Sequence, residues 1–575
     1  MRFSARLTAL LFILLTVHAC KNGDSDINSS ISPSKSAYKG GNKVIRIAEL
    51  SGPVNLFPHT ITQATEALIT GQIFECLVKV DPKTLEINPG LAESWKVSMD
   101  GKSIEFSLRK GVKFQKTGVF VGKEVELTAH DVKFTFDLLC TYSPTNYHFA
   151  TICKDRIAGA NECYDRTKLG EKSDLKGVRV IDDYTFVIEL QNSPYIFLDI
   201  IGTSSAGILS KEAYMAEKEA TLVGAGPFML DRKNSTDKSY RLAKNPEYYG
   251  KDLKGNPLPY LDSVIVDMVP SSEVAWEGFN SGRYDYIGTL PANKIAAIVE
   301  ENINSFKGNP ARYVLERSVE MISQYYLFNT NKAPFNDVKV RKAFNYAIDR
   351  DRIIDRVLFG QAYGPAIYGI TPPTFDYYRC EEIEGYTFDV KKAKKLLADA
   401  GYPNGKNFPE VRLIVNSGNP RNNTVAAEIQ KQLLTNLGVN VNFESLPNGD
   451  KFILQTSGRG DIFRDGWVAD YPSPESFLSI FYGEPVEKDT NKISYPNTIK
   501  YVNAEYDKYY KLGRDAIQKD TAAKYFLMAE KILINDAPLI PLYYESNYRL
   551  VSSRLVNFYL NPLRHYDFSE VDVRE

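Results

Sequence analysis

Val411-Arg412-Leu413-Ile414-Val415 is a short apolar run that reads as a strand, and Val439-Asn440-Val441-Asn442-Phe443 reads as a second one. Between them, Thr424 to Leu437 has helical spacing and stops at Gly438. Strand, helix and strand in this order make a βαβ unit, which implies a parallel sheet covered by helices. Ligands in such sheets gather at the carboxyl ends of the strands. Two capped helices precede the unit. Asp337 caps one with an apolar face of Val340, Ala343, Phe344, Ala347 and Ile348; Asp389 caps another with Ala393, Leu396, Leu397 and Ala400, ended by Gly401.

Upstream the periodicity changes kind several times, and no internal repeat emerges. Val44 to Leu50 reads as a strand, Gly52 to Pro58 as a turn-rich connection, and Glu66 to Leu77 as a helix. Lys102 to Arg109 points Ile104, Phe106 and Leu108 to one side, the pattern of a half-buried strand, and Tyr184 to Leu190 alternates again. Thr128 caps a helix, with Asp131 three positions on and Val132, Phe136 and Leu139 on one face. The fold class is therefore α/β, in the mixed α+β sense. A chain of 575 residues exceeds one core and predicts two or three domains. Its net charge of -1 gives no electrostatic reason to expect nucleic acid as a partner. The 36 tyrosines suit a polar, adaptable cavity as well as they suit an ordinary core.

The first residues read as a secretory signal segment. Basic Arg2 and Arg6 precede an apolar run, Leu7 to Val17, too short for the ~20 residues of a membrane span. His18-Ala19-Cys20 resembles a bacterial lipoprotein box, which predicts a signal peptide over residues 1–19 and acylation of the Cys20 thiol. Lys21 to Asn42 is polar and Gly/Ser/Asn-rich, a flexible tether after the lipidated cysteine. No later stretch is long and apolar enough for a membrane helix, so the lipid is the expected anchor, on the periplasmic or cell-surface face of the bacterial envelope. Cys76, Cys140, Cys153, Cys163 and Cys380 remain, an odd number. Cys153 and Cys163, in one loop-like stretch, are the expected disulfide. There is no CxxC and the histidines lie far apart, so no metal site and no cofactor are expected.

Several ordered motifs carry a resemblance. They are Pro89-Gly90-Leu91-Ala92-Glu93-Ser94-Trp95, Leu127-Thr128-Ala129-His130-Asp131-Val132, Gly224-Ala225-Gly226-Pro227-Phe228, Asn245-Pro246-Glu247-Tyr248-Tyr249, Ser281-Gly282-Arg283-Tyr284-Asp285, Asn329 to Asp351 with Ala347-Ile348-Asp349-Arg350, and Ala537 to Leu542. Together they resemble the family 5 extracellular solute-binding proteins, the oligopeptide- and dipeptide-binding receptors of ABC importers. The resemblance implies a two-lobed hinge fold with an inserted domain. Lobe I is expected over Lys43 to Lys79, Ser193 to Arg312 and Tyr548 to Glu575, the inserted domain over Val80 to Asn192, and the second closing lobe over Tyr313 to Asn547.

The same resemblance points to a site. Arg464-Asp465-Gly466-Trp467-Val468-Ala469-Asp470-Tyr471 resembles the ligand motif of the peptide-binding members, in which the Asp accepts the ligand's α-ammonium group. A carboxylate gains a charge-assisted bond there, strengthened where closure removes water. Asp470 is the expected anchor, with Trp467 as an apolar wall, Tyr471 beside it and Arg464 placed to meet a carboxylate end. Thr62 and Gln63, in the segment Pro58 to Ala64, and Arg421 and Asn422, after Asn419-Pro420, are expected to complete the cavity. Phe57, Cys76 and the long loop Gln115 to Glu126 depart from the family pattern. The implied partners are short peptides and ABC permease subunits, with the receptor itself a monomer. No hydrolase signature of the HExxH or G-x-S-x-G kind is present, so no enzyme is expected. Two alternatives stay open: the same fold holding a metal chelate, sugar or other small solute, and a role in signalling.

Overall fold

The computed structural model describes residues 43–574 apart from 51, 192–193, 219–220, 292–294, 309–310, 418–419, 484–485, 487–493, 495, 560–561 and 564–565. Cys20, the signal segment and the tether lie outside the described residues, as do the Asn192–Ser193 junction and Asn419. Among the described residues no helix is long and apolar enough to cross a membrane.

One mixed sheet organises the molecule. Its strands are β1 (Val44–Glu49), β2 (Phe228–Leu230), β3 (Ser239–Lys244), β4 (Ser263–Met268), β5 (Tyr286–Ile287), β6 (Tyr313–Phe328), β7 (Ala362–Pro365), β8 (Val411–Asn416), β9 (Val441–Leu446), β10 (Ile462–Val468) and β11 (Leu539–Ser552). Across the sheet the order is β9, β8, β10, β6, β11, β5, β1, β4, β3, β2, with β7 paired to β11. In one half β1 runs parallel to β4 and β5; in the other, β8 runs parallel to β9 and β10. The long antiparallel pair β6 and β11 passes through both halves. Its register slips between Val319 and Ser323 and again between Gln324 and Tyr325. Such irregularities bend a strand and raise its local twist. They fall where the pairing of β11 with β5 gives way to the pairing of β6 with β10, so a bent two-stranded ribbon joins the two halves of the sheet.

The βαβ unit is present as β8, the helix Pro420–Leu437 and β9, and Val411 stands opposite Val441. The helix begins at Pro420, before the apolar spacing starts at Thr424, because proline needs no N–H partner in a first turn. Asp337 Oδ1 accepts from the Lys339 amide at 2.7 Å and Asp389 Oδ1 from the Lys392 amide at 2.9 Å, so both expected caps form. The expected face Val340, Ala343, Phe344, Ala347 and Ile348 is wholly buried against this half of the sheet.

A separate antiparallel sheet is made of Ala92–Val97, Ser103–Leu108, Thr185–Glu189 and Val178–Asp182 in that spatial order. Ile104, Phe106 and Leu108 point into its core, and Phe106 stacks on Phe186 at 5.1 Å. The helix Ala129–Leu139 packs there, with the Asp131 carboxylate accepting from the Thr128 amide at 3.1 Å. Gln115, beyond the second of these strands, is stitched to Ile73, Gly224 and Phe228. Its side-chain amide donates to Ile73 O at 3.0 Å and Phe228 O at 2.7 Å, and its backbone N–H donates to Gly224 O at 2.9 Å.

The expected bridge between Cys153 and Cys163 is absent: both thiols are free and buried. Cys153 ends the turn Phe149–Cys153 facing Cys140, whereas Cys163, on the helix Ala160–Lys168, faces Ser173. Packing, rather than a staple, holds this loop.

Several family motifs prove to be scaffold. A Cβ on Gly224 would stand 2.1 Å from Ile73 O, and one on Gly226 2.5 Å from Gln72 O. Buried Asn245 donates to Gly226 O at 2.8 Å, and Asp285 accepts from the Arg46 amide at 2.9 Å. Gly224→Ala forces backbone against backbone and is expected to destabilise the protein by about 1–3 kcal/mol, read as a lower urea midpoint.

Candidate functional site

Strand β10 carries the candidate motif out of the sheet. Antiparallel pairing puts Arg464 opposite Tyr326, Gly466 opposite Gln324 and Trp467 opposite Ser323. Side chains alternate along a strand, so Arg464 and Trp467 face opposite sides, and the motif builds two clusters rather than one.

The first cluster is the turn after β10. The Asp470 amide donates to Ser476 Oγ at 3.0 Å, and Trp467 Nε1 reaches the same oxygen at 3.4 Å. Trp467 is half-buried on the main apolar core. Buried Tyr471 donates its hydroxyl to Glu475, as does Tyr510 from the helix Ala504–Arg514. Arg156, just after the turn Phe149–Cys153, closes this network. Its Nη2 donates to the Tyr471 hydroxyl at 3.0 Å and lies 3.6 Å from Glu475 Oε2.

Asp470 itself is open to solvent, yet protein hems it in on most sides. That crowding strips bulk hydration from its carboxyl and, with the nearby Glu475 charge, pushes its pKa up to about 6 against the opposing pull of Arg156. Among the described residues no hydrogen-bond donor reaches the Asp470 carboxylate.

The second cluster lies at the carboxyl end of β8. Arg464 Nη1 donates to Asn416 Oδ1 at 3.1 Å, and its Nη2 donates to Gln324. Buried Asn422 donates to Asn416 Oδ1 at 3.2 Å. Arg421, in the first turn of the helix that follows β8, donates to Glu545 Oε2 at 3.2 Å and lies 5.2 Å from the Tyr543 ring centre. Burial raises the pKa of Glu545, while Arg421 opposes that shift.

Thr62 and Gln63 stand apart from both clusters, just before the helix Ala64–Ile73. Their backbone N–H groups donate to Glu66 Oε2 at 2.5 and 3.0 Å, and Glu66 Oε1 takes those of Val54 and Asn55. Glu66 thus satisfies the start of the helix Ala64–Ile73, which begins earlier than the apolar spacing implied. Thr62 is exposed and Gln63 half-buried.

Sequence reasoning missed Ser476, Glu475, Gln324, Asn416, Glu545 and Arg156. Glu475 and Ser476 adjoin the motif and could have been taken with it. Arg156 is 315 positions from Tyr471 and carries no sequence signal of that contact.

The model of bacterial extracellular solute-binding proteins, family 5 (middle region), matches residues 86–489. The chain belongs to this family. It is thus an extracytoplasmic solute-binding receptor of the ABC-importer type, with the mixed α/β two-lobed architecture of that family. Heme-binding protein A of Haemophilus influenzae is 30% identical over 584 residues, covering 100% of both chains. The periplasmic oligopeptide-binding protein OppA of Salmonella typhimurium is 29% identical over 515 residues, covering 86% of each. Among solved structures, DppA of Helicobacter pylori in complex with the peptide STSA superposes with a TM-score of 0.71 at 27% identity, covering 93% of this chain and 98% of that one.

Proposed function

We propose that this lipid-anchored receptor captures short peptides between its lobes and delivers them to an ABC permease, with Asp470 accepting the α-ammonium group. One observation carries the reading: a solvent-exposed carboxylate just past the carboxyl end of a sheet strand, whose own amide is spent on Ser476 while no described donor bonds its oxygens. A buried ammonium is the partner it lacks. Arg421 and Arg464 sit on the other cluster, where a peptide's carboxylate end would find positive charge. The peptide-binding relatives support this cargo. Lobe I is proposed over 43–79, 193–312 and 548–575, the inserted domain over 80–192 and the second lobe over 313–547, with Cys20 as the anchoring residue.

Calorimetry with a free and an N-acetylated tetrapeptide tests the reading. The acetylated form is expected to lose nearly all affinity, and equal binding would refute the role of Asp470. The pH dependence has a definite sign. The Asp470 carboxyl titrates at about 6, so it is ionised and competent above that value and is neutralised below it. Free-peptide affinity is expected to be level above pH ~7 and to fall roughly tenfold per unit below ~6.

A second reading, heme as the cargo, has the full-length similarity to heme-binding protein A behind it. The described histidines speak against axial ligation at this site. His59 is buried with its pKa lowered to about 3, first by burial and then by His148; His148 Nε2 is 2.7 Å from Ile61 O; His130 lies beside Asp183 on the surface. Absorbance titration with hemin distinguishes the two cargoes.

A further inference from the structure

Asp470 is surrounded by groups from three parts of the chain. Glu475 and Tyr471 belong to its own turn, and Glu475 is met in turn by Tyr510 from the helix Ala504–Arg514 and by Arg156 and Tyr195 from segments outside the second lobe. Two carboxylates, Asp470 and Glu475, thus share one nearby cation. Arg156 is a half-buried guanidinium that lies 5.5 Å from the Tyr471 ring centre and bonds the Tyr471 hydroxyl, and its own backbone is pinned inside the inserted domain. Its amide donates to Cys153 O at 3.1 Å, and Gln191 donates to Arg156 O at 2.7 Å. Burial alone would make this cation costly; Tyr471 and Glu475 offset that cost and hold it charged.

From this arrangement we infer that Arg156 is a positioning residue for ligand recognition, holding the inserted domain against the turn that carries Asp470 through the Tyr471 hydroxyl and setting its positive charge beside Glu475 of that turn. The inserted domain then belongs to the binding apparatus rather than standing apart from it. Apolar contact runs the same way, since one continuous core joins Phe106 and Phe186 of the insertion through Phe197 to Phe477, Tyr506 and Phe526 of the second lobe. The inference rests on the reading of Asp470 as the ammonium acceptor, and its first test needs no peptide.

Trp467 shares Ser476 with Asp470 and so reports on that turn. In full-length protein carrying Trp95→Phe and Trp276→Phe, Trp467 emission is followed against pH without ligand, and the transition is assigned by its loss in Asp470→Asn. Arg156→Gln is expected to move the midpoint up by about one pH unit, and Glu475→Gln to move it down by a similar amount. Arg156→Lys, which keeps the charge, is expected to stay near the parent. Peptide affinity of Arg156→Gln is expected to fall about twofold at pH 7 and about fivefold at pH 6, and to recover at pH 8.5. A midpoint that neither substitution moves would overturn the inference, even if affinity fell, because a purely structural loss is independent of pH. Should the parent protein titrate as expected yet bind no peptide, the cargo reading fails while the role of Arg156 at Asp470 stands.

Discussion

Asp470→Asn is expected to weaken peptide binding by about 2–5 kcal/mol, the cost of leaving a charged partner buried without its counter-charge. The substitution keeps the shape of the side chain. The backbone bond to Ser476 and the Trp467 contact to the same hydroxyl do not involve the carboxylate, so the turn keeps its form. What disappears is the negative charge. An amide oxygen can still accept a hydrogen bond from the ligand, which places Asp470→Asn above Asp470→Ala in residual affinity. Stability moves the other way. Crowding raises the native carboxyl to about 6, above its value in an unfolded chain, so ionisation weighs against the native state above that pH and the penalty vanishes as pH falls below the unfolded range. Asp470→Asn removes that penalty and is expected to unfold at or slightly above the parent's midpoint at pH 7.5. Loss of binding without loss of stability is the signature of a residue kept for recognition. An affinity within threefold of the parent would sink the proposal.

Local signals were legible in the sequence wherever the chain solves its own problem nearby. Asp337 and Asp389 cap helices whose amides lie two and three residues away, and the alternation of Ile104, Phe106 and Leu108 reflects one face of one strand. The βαβ unit was readable because Gly438, at a φ of +71°, ends its helix where a side chain would be strained. The ribbon of β6 and β11 was not, since its pairing joins residues more than two hundred positions apart and its slips near Val319 and Gln324 leave no local mark. The motif from Arg464 to Tyr471 was readable as a stretch but not as two clusters, because only strand pairing shows that Arg464 and Trp467 face opposite sides. The paired cysteines misled for a similar reason: nearness in sequence put Cys153 with Cys163, while the fold turns Cys153 toward Cys140. The sequence motifs also differ in kind. Gly224, Gly226, Asn245 and Asp285 mark the family because the chain passes close to itself at those points, and they say nothing about cargo.

Arg350 is the strongest case of such a scaffold residue, and Arg350→Met is expected to destabilise the protein by about 3–5 kcal/mol. Its guanidinium is buried and serves five acceptors: Pro541 O at 2.6 Å, Asn345 O at 3.1 Å, Ile348 O at 3.3 Å, Tyr386 O at 3.2 Å and Asn345 Oδ1 at 3.1 Å. None of these is a carboxylate. Burial lowers its pKa to about 10, which still leaves it charged at neutral pH, held by carbonyl dipoles in a fixed fork. Methionine fills much of the same volume but offers no donor, so carbonyls of the helix Val338–Ala347, of Tyr386 and of strand β11 lose their partner at once. Lysine keeps the charge without the fork and cannot reach the separated oxygens together, so Arg350→Lys is expected to lose an intermediate amount. Because Pro541 lies on β11, which also forms the bent ribbon with β6, the damage should reach binding: peptide affinity of Arg350→Met is expected to fall with its native fraction, whereas Asp470→Asn loses affinity while fully folded. Urea unfolding of the two variants beside calorimetry separates these cases, and parent-like unfolding of Arg350→Met would mean that water replaces the guanidinium at those carbonyls.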